Sequence, residues 1–134
     1  MNNKLVIDTS VFISYSIYKK MYRIFDAIKT YHLMVYVNEE LINEYFDNLR
    51  YINKYTPYEL EDLMTAFTDL SIFVKVEKQF NQSPDPKDNF LFDIAIQTNS
   101  EVIVSQEKAL LQFANTPVPV HDIKWFKETF PVPM

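Results

Sequence analysis

The chain reads as an α/β domain with a mostly parallel central sheet, and three observations predict that class. Short apolar runs of strand length recur at residues 4–7 (KLVI), 33–37 (LMVYV) and 101–105 (EVIVS). Between them lie segments whose apolar side chains fall three and four apart, the spacing of one helical face. Helix-start chemistry stands ahead of several of these segments: Asn38, the Thr56-Pro57 pair and the Pro84-Asp85-Pro86 turn. Strands that alternate with helices build parallel sheets, and such sheets bind ligands beyond the carboxyl ends of their strands.

Residues 4–7 form the first strand and end at Asp8. Tyr18, Met21, Tyr22, Phe25 and Ile28 share one stripe, which predicts a helix over 18–30. After the second strand, Asn38 suits an N-cap, with Glu39 and Glu40 in a first turn where the helix dipole favours anions. That helix continues through Leu41, Ile42, Tyr45, Phe46 and Leu49. Thr56 and Glu59 have capping-box spacing and Pro57 suits the first turn, so the next helix runs to Leu70. Residues 72–76 (IFVKV) look extended or strand-like. Residues 81–89 (NQSPDPKDN) are turn chemistry leading into a helix that carries Phe90, Leu91, Ile94 and Ala95. A short helix over 108–113 follows the third strand. Residues 116–122 (TPVPVHD) predict a last edge strand whose prolines discourage further pairing, and a helix over 123–130 closes the chain. At 134 residues, one domain over 1–134 is expected, without repeats or low-complexity tracts.

Composition narrows the chemistry. The chain contains no cysteine, which excludes disulfides, iron–sulfur clusters and thiolate zinc sites. It contains no glycine, where average usage would supply about nine. Walker-type phosphate loops, the dinucleotide fingerprint, the hydrolase nucleophile elbow and the EF-hand turn all need that residue. His32 and His121 are the only imidazoles, too few for a histidine-built metal cage, and both read as structural. Acids dominate: 18 Asp and Glu against 13 Lys and Arg, net charge −5 and pI near 5.0. That balance argues against nonspecific nucleic-acid binding over a basic surface and leaves open a substrate held through metal ions. The opening residues carry too short an apolar run for a signal peptide, and no later stretch is long enough to span a bilayer. A soluble, cytoplasmic protein without membrane contact is expected.

Four acids fall where a parallel sheet would gather them. Asp8 follows the first strand, Glu44 lies about two turns into the helix after the second, Asp88 opens a helix, and Glu107 falls just after the third strand. Carboxylates gathered in one cleft raise one another's pKa or recruit cations. Hard divalent ions with oxygen ligands are the natural compensation, and two such ions can activate water and stabilise a leaving oxygen. Each acid also has a plainer reading. Asp8, Asp85, Asp88 and Glu107 could be helix-start acids, and Glu44 or its neighbour Asp47 could belong to a solvated face. Asp93 reads as exposed or as a supporting partner.

The residues also resemble a known family. VIDTSVFIS, residues 6–14, is similar to the first strand and turn of PIN-domain ribonucleases, where an Asp-Thr pair begins the metal site. VNEELINEYFDNL, residues 37–49, resembles the family's second acidic segment with Glu44 at its glutamate. SPDPKDNFLFDIAIQTNSEVIVSQEKALL, residues 83–111, resembles its most recognisable stretch, with Asp88 and Glu107 as third and fourth acids. The resemblance implies a three-layer α/β/α PIN-like fold and a metal-dependent endoribonuclease. Asp8, Glu44, Asp88 and Glu107 would hold one or two Mg²⁺ or Mn²⁺ ions, supported by Ser10, Asp85 and Asn89. It is closest to the branch of toxins in toxin–antitoxin systems. That implies an RNA substrate, an antitoxin protein as partner and a homodimer.

Three positions depart from the family pattern. Ser10 replaces the commonest Asn, Ala109 removes a second acid from the last motif, and Gln106 stands where glycine usually precedes the last acid. Gln106 must therefore turn without easy access to positive φ, which marks Glu107 as the acid most open to displacement. These departures support an alternative, a PIN-fold protein-binding module that has lost turnover. A haloacid-dehalogenase reading fails because Ser10 stands where a second Asp is needed, and a receiver domain wants paired acids near the first strand end. Two segments interleave aromatics with cations, Tyr15 to Arg23 and Arg50 to Tyr58, and either could guide a single strand of nucleic acid.

Overall fold

The computed structural model describes residues 2–133. Its centre is a five-stranded, all-parallel sheet in the order β3-β2-β1-β4-β5. The strands are β1 (Lys4–Ile7), β2 (Met34–Val37), β3 (Ile72–Phe73), β4 (Val102–Val104) and β5 (Val120–His121). Leu5, Val6 and Ile7 have no exposed surface, as expected for a strand covered on both faces. Each buried side chain of that kind contributes roughly 1.5–3 kcal/mol.

Among the described residues six helices connect the strands, α1 (Thr9–Ile17), α2 (Met21–Tyr31), α3 (Glu39–Tyr51), α4 (Pro57–Leu70), α5 (Asn89–Gln97) and α6 (Lys108–Leu111), and α7 (Ile123–Thr129) follows β5. Right-handed crossovers fix their sides. The path β1 to β2 to β3 moves one way across the sheet, and β3 to β4 to β5 moves back, so α1–α4 lie on one face and α5–α6 on the other. The result is a three-layer α/β/α fold. The direction reverses beside β1 and β4, and the crevice beyond their carboxyl ends is where such folds place ligands.

The predicted caps form. Asn38 Oδ1 accepts the Leu41 N–H at 3.0 Å, and Thr56 and Glu59 make both bonds of the capping box. One helix is misread by the sequence pattern. The stripe over 18–30 covers a break: α1 ends at Ile17, Tyr18 is 71% exposed, and α2 begins at Met21. The first of these two helices escapes a periodicity search because VFISYS presents apolar or small residues on every side, as a buried helix does.

The break is closed without glycine. Lys19 takes φ 55° after α1, with the Lys19 N–H on Ser16 O (3.1 Å) and the Lys20 N–H on Tyr15 O (2.8 Å). That is the Schellman pattern with lysine in the left-handed position. Asn99 ends α5 in the same way at φ 58°, and His32 and Asn53 take left-handed φ after α2 and α3. Residues 72–76 are strand only at Ile72–Phe73; the Val74 N–H still bonds Val37 O, and the chain beyond is irregular and tied to α5 through Gln97 and Asp93.

Candidate active site

The first predicted acid stands in the crevice between β1 and β4. The Asp8 N–H donates to Val104 O at 2.8 Å, which pins the end of β1 beside Ser105. Asp8 occupies the N-cap position of α1, yet its side chain makes no capping bond. Its Oδ2 instead accepts the hydroxyls of Ser10 and Ser105, each at 2.8 Å. Those two hydroxyls also accept the backbone N–H groups of Gln106 (3.1 Å) and Glu107 (3.0 Å). The turn after β4 is thus tied to Asp8 through two serines, and Gln106 is not among the residues with positive φ. Hydroxyls do here what glycine backbone freedom would otherwise allow.

Asp88 closes a 3₁₀ turn (Pro86–Asp88) and stands at the N-cap of α5, again with no capping bond. Its Oδ2 is buried and accepts no hydrogen bond. The carboxyl of Glu107, itself an acceptor, lies close to that of Asp88. Two acceptors that face each other are satisfied by a shared proton or by a cation. Glu107 likewise occupies an N-cap, that of α6, without capping. Glu44 projects from α3 toward the same cleft, beside the hydroxyl of Thr9.

The electrostatics couple all four. Burial holds Asp8 above the usual carboxylate range, with the charge of Glu107 adding to it and the hydrogen bonds from Ser105 and Ser10 opposing. Partial burial raises Glu44, and Asp8, Glu107 and Glu40 push it further. Asp88 is pushed up to about 8 by burial, then by Glu107, Asp8 and Asp85. The donor set is all oxygen and one buried carboxylate oxygen lacks a partner, which fits a hard divalent cation. Among the described residues no three acids converge into a ready-made metal cage. The fit is therefore to an ion such as Mg²⁺, which keeps several waters and needs only one or two carboxylates.

Other acids are engaged elsewhere. Asp85 Oδ1 accepts the Lys87 N–H at 3.0 Å and caps the 3₁₀ turn, and Asn89 Oδ1 accepts the Ser83 N–H at 3.0 Å. Asp47 is exposed and pairs with Arg50 at 3.2 Å. Asp93, expected to be exposed or supporting, is buried: its Oδ1 accepts the N–H groups of Gln79 (3.0 Å) and Phe80 (2.7 Å), anchoring the segment after β3 to α5. Ala109 is exposed on α6. His32 ends α2 and His121 stacks on Trp125 at 4.5 Å, so neither reaches the acids. Sequence reasoning passed over Ser105. Its signal was present, since it follows the third strand as Asp8 follows the first.

A doubly wound α/β protein with an acid-lined crevice at the sheet's switch point is the class this geometry defines. The chain matches the family model of the PIN domain over residues 4–109 and belongs to that family. The matched span contains all four acids and both serines, and PIN domains are in general metal-dependent ribonucleases. No curated protein matches the chain closely enough to count as a relative. Among the described residues, no helix is long and apolar enough to cross a membrane.

Proposed function

We propose that the protein is an endoribonuclease that hydrolyses RNA phosphodiester bonds, with Asp8, Glu44, Asp88 and Glu107 as its working acids and as holders of one or two Mg²⁺ or Mn²⁺ ions. One observation carries this reading: Asp8, Glu44 and Asp88 come from separate elements and are all raised, with Glu107 among the charges that raise them, while the three acids at helix starts make no capping bond. A divalent ion bound there supplies an acidified water and neutralises charge building on the phosphate. Ser10 and Ser105 orient the Asp8 carboxyl through Oδ2. The carboxyls of Asp88 and Glu107 lie against each other, an arrangement that a cation between them would relieve. Ser10, Asp85 and Asn89 support the turn geometry around these acids. The sequence resemblance extends the reading to the toxin of a type II toxin–antitoxin pair, cytoplasmic, held in check by an antitoxin protein and able to form a homodimer.

The test is Asp8→Asn. Cleavage of a single-stranded RNA in Mn²⁺ should fall at least about 100-fold while the circular dichroism spectrum stays unchanged. Wild-type cleavage rates in the variant would overturn the assignment. A second reading, a PIN-fold module that binds protein without turnover, is favoured by one observation, the lack of a three-carboxylate cage among the described residues. Calorimetric titration with Mn²⁺ separates the two, since a binding module has no need for an ion at these acids.

A further inference from the structure

A basic, aromatic groove runs from the rear of α1 to Gln106, the residue before Glu107. Its inner end is a pocket of about 190 Å³ whose wall is apolar, built by Tyr15, Phe126 and Phe130, with Arg23 and Lys127 also lining it. The Lys127 Nζ lies 5.9 Å from the centre of the Tyr15 ring. The pocket opens onto a trough lined by Tyr18, Lys20 and Ile123, again with Arg23 and Lys127. Beyond Ile123 the surface continues past Lys124 to Gln106, which precedes Glu107 and donates its backbone N–H to Ser10 Oγ. Three depressions thus share Lys127, and the last of them reaches Gln106, next to Glu107 in the chain.

The charge there is opposite to that of the whole chain. Lys20, Arg23, Lys124 and Lys127 line the groove, against Asp122 and Glu128 at its outer end, in a protein of net charge −5. Asp122 is also engaged, its Oδ1 accepting the Trp125 N–H at 2.9 Å. Tyr18, 71% exposed at the trough, offers a free ring face. A row of cations beside an exposed aromatic matches the alternation of phosphate and base along a single strand. The second aromatic and cationic segment also exposes rings, Tyr51 and Tyr58, but the depression beside it is not lined by a row of cations. Arg50 pairs with Asp47, the Tyr55 hydroxyl donates to Ser16 O, and the depression beside Tyr55 carries Glu59 and Asp62.

We infer that the groove between α1, the start of α2 and α7 is the track that carries the single-stranded RNA backbone to the acid cleft, with Lys20, Arg23, Lys124 and Lys127 meeting phosphates and Tyr18 stacking on a base. This rests on the nuclease reading for what happens at the end of the track, and not for the binding itself.

The experiment is a fluorescence anisotropy titration of a short fluorescein-labelled oligouridylate with the full chain in EDTA, where no cleavage competes. Lys124→Glu with Lys127→Glu should weaken binding about tenfold or more, and the salt dependence of log K should flatten by about 1.4. Arg50→Glu with Lys54→Glu, the same charge change on the other segment, should shift affinity less than about twofold. Lys20→Glu with Lys124→Glu repeats the test without touching the Lys127 contact to Tyr15, should the first pair unfold. Equal losses from both surfaces, no loss from the groove, or no binding by the wild-type chain would overturn the inference. So would displacement of the RNA by a polyglutamate peptide as effective, charge for charge, as unlabelled RNA, which would assign the groove to an acidic protein. Cleavage in Mn²⁺ measured alongside keeps the two readings apart. Cleavage that ignores the groove variants overturns the track alone, and groove-dependent binding without cleavage supports the track while removing the nuclease reading.

Discussion

Asp122 and Asp8 stand at the same position of a helix start and commit their carboxylates in opposite ways. Asp122 accepts the Trp125 N–H and closes the first turn of α7. Asp8 makes no such bond and turns to Ser10 and Ser105, as Asp88 and Glu107 also leave their helices uncapped. Asp85, Asp93 and Asp122 accept backbone N–H groups, whereas Asp8 faces two hydroxyls and Asp88 faces Glu107. A carboxylate that takes amide bonds is stabilised as an anion and supports the fold. One left among other acids is a strained acceptor that a proton or a cation relieves.

Four measurements would break or sharpen that contrast. The largest effect should come from Asp8→Asn, which abolishes RNA cleavage with the fold retained, whereas Asp122→Asn, an equally good cap, leaves cleavage within about twofold. Next, Asp93→Ala leaves the N–H groups of Gln79 and Phe80 without an acceptor. It should cost about 2–3 kcal/mol, near 10 °C in Tm, read by thermal melting.

The third measurement concerns pH. Asp8, Glu44 and Asp88 are all raised in the folded state, so between the ordinary carboxylate range and about 8 the folded chain binds more protons than the unfolded one. Their contribution is therefore most favourable at the acid end of that window and is lost as pH rises through it. In EDTA, Asp88→Asn should raise Tm at pH 8 by a few degrees, about 1 kcal/mol after solvent screening, and flatten the decline between pH 5 and pH 8. Mn²⁺ should stabilise the wild type and not the variant. A variant that melts below wild type at pH 8 would contradict the repulsion. The smallest effect is conformational. His32 is exposed at φ 53°, and His32→Gly should stabilise by about 0.5–1 kcal/mol in a denaturant titration, with cleavage unchanged.

Much of the fold was legible because its signals are local. The runs at 4–7, 33–37 and 101–105 are strands since an apolar run that short can be covered on both faces only within a sheet. Asn38 and Thr56 cap because their acceptors lie three residues from the N–H groups they meet. The helix α1 was not legible, because a helix buried on most sides has no polar stripe to betray its period. Nor was its ending at Lys19 legible, since a left-handed lysine carries no mark that a glycine would.

The site divides along the same line. Sequence alone determined that the chemistry would be carboxylate chemistry, because a chain without cysteine or glycine and with two histidines offers little else. It also put Asp8 and Glu107 after strands that a parallel sheet would align. Only the tertiary structure decided which acids are committed to backbone. Asp93 is taken by Gln79 and Phe80, while Asp88 is left facing Glu107 from a segment 19 residues away in the chain. The reason is physical: whether a carboxylate is satisfied depends on which donors reach it, and for these acids the deciding groups come from other elements of the fold.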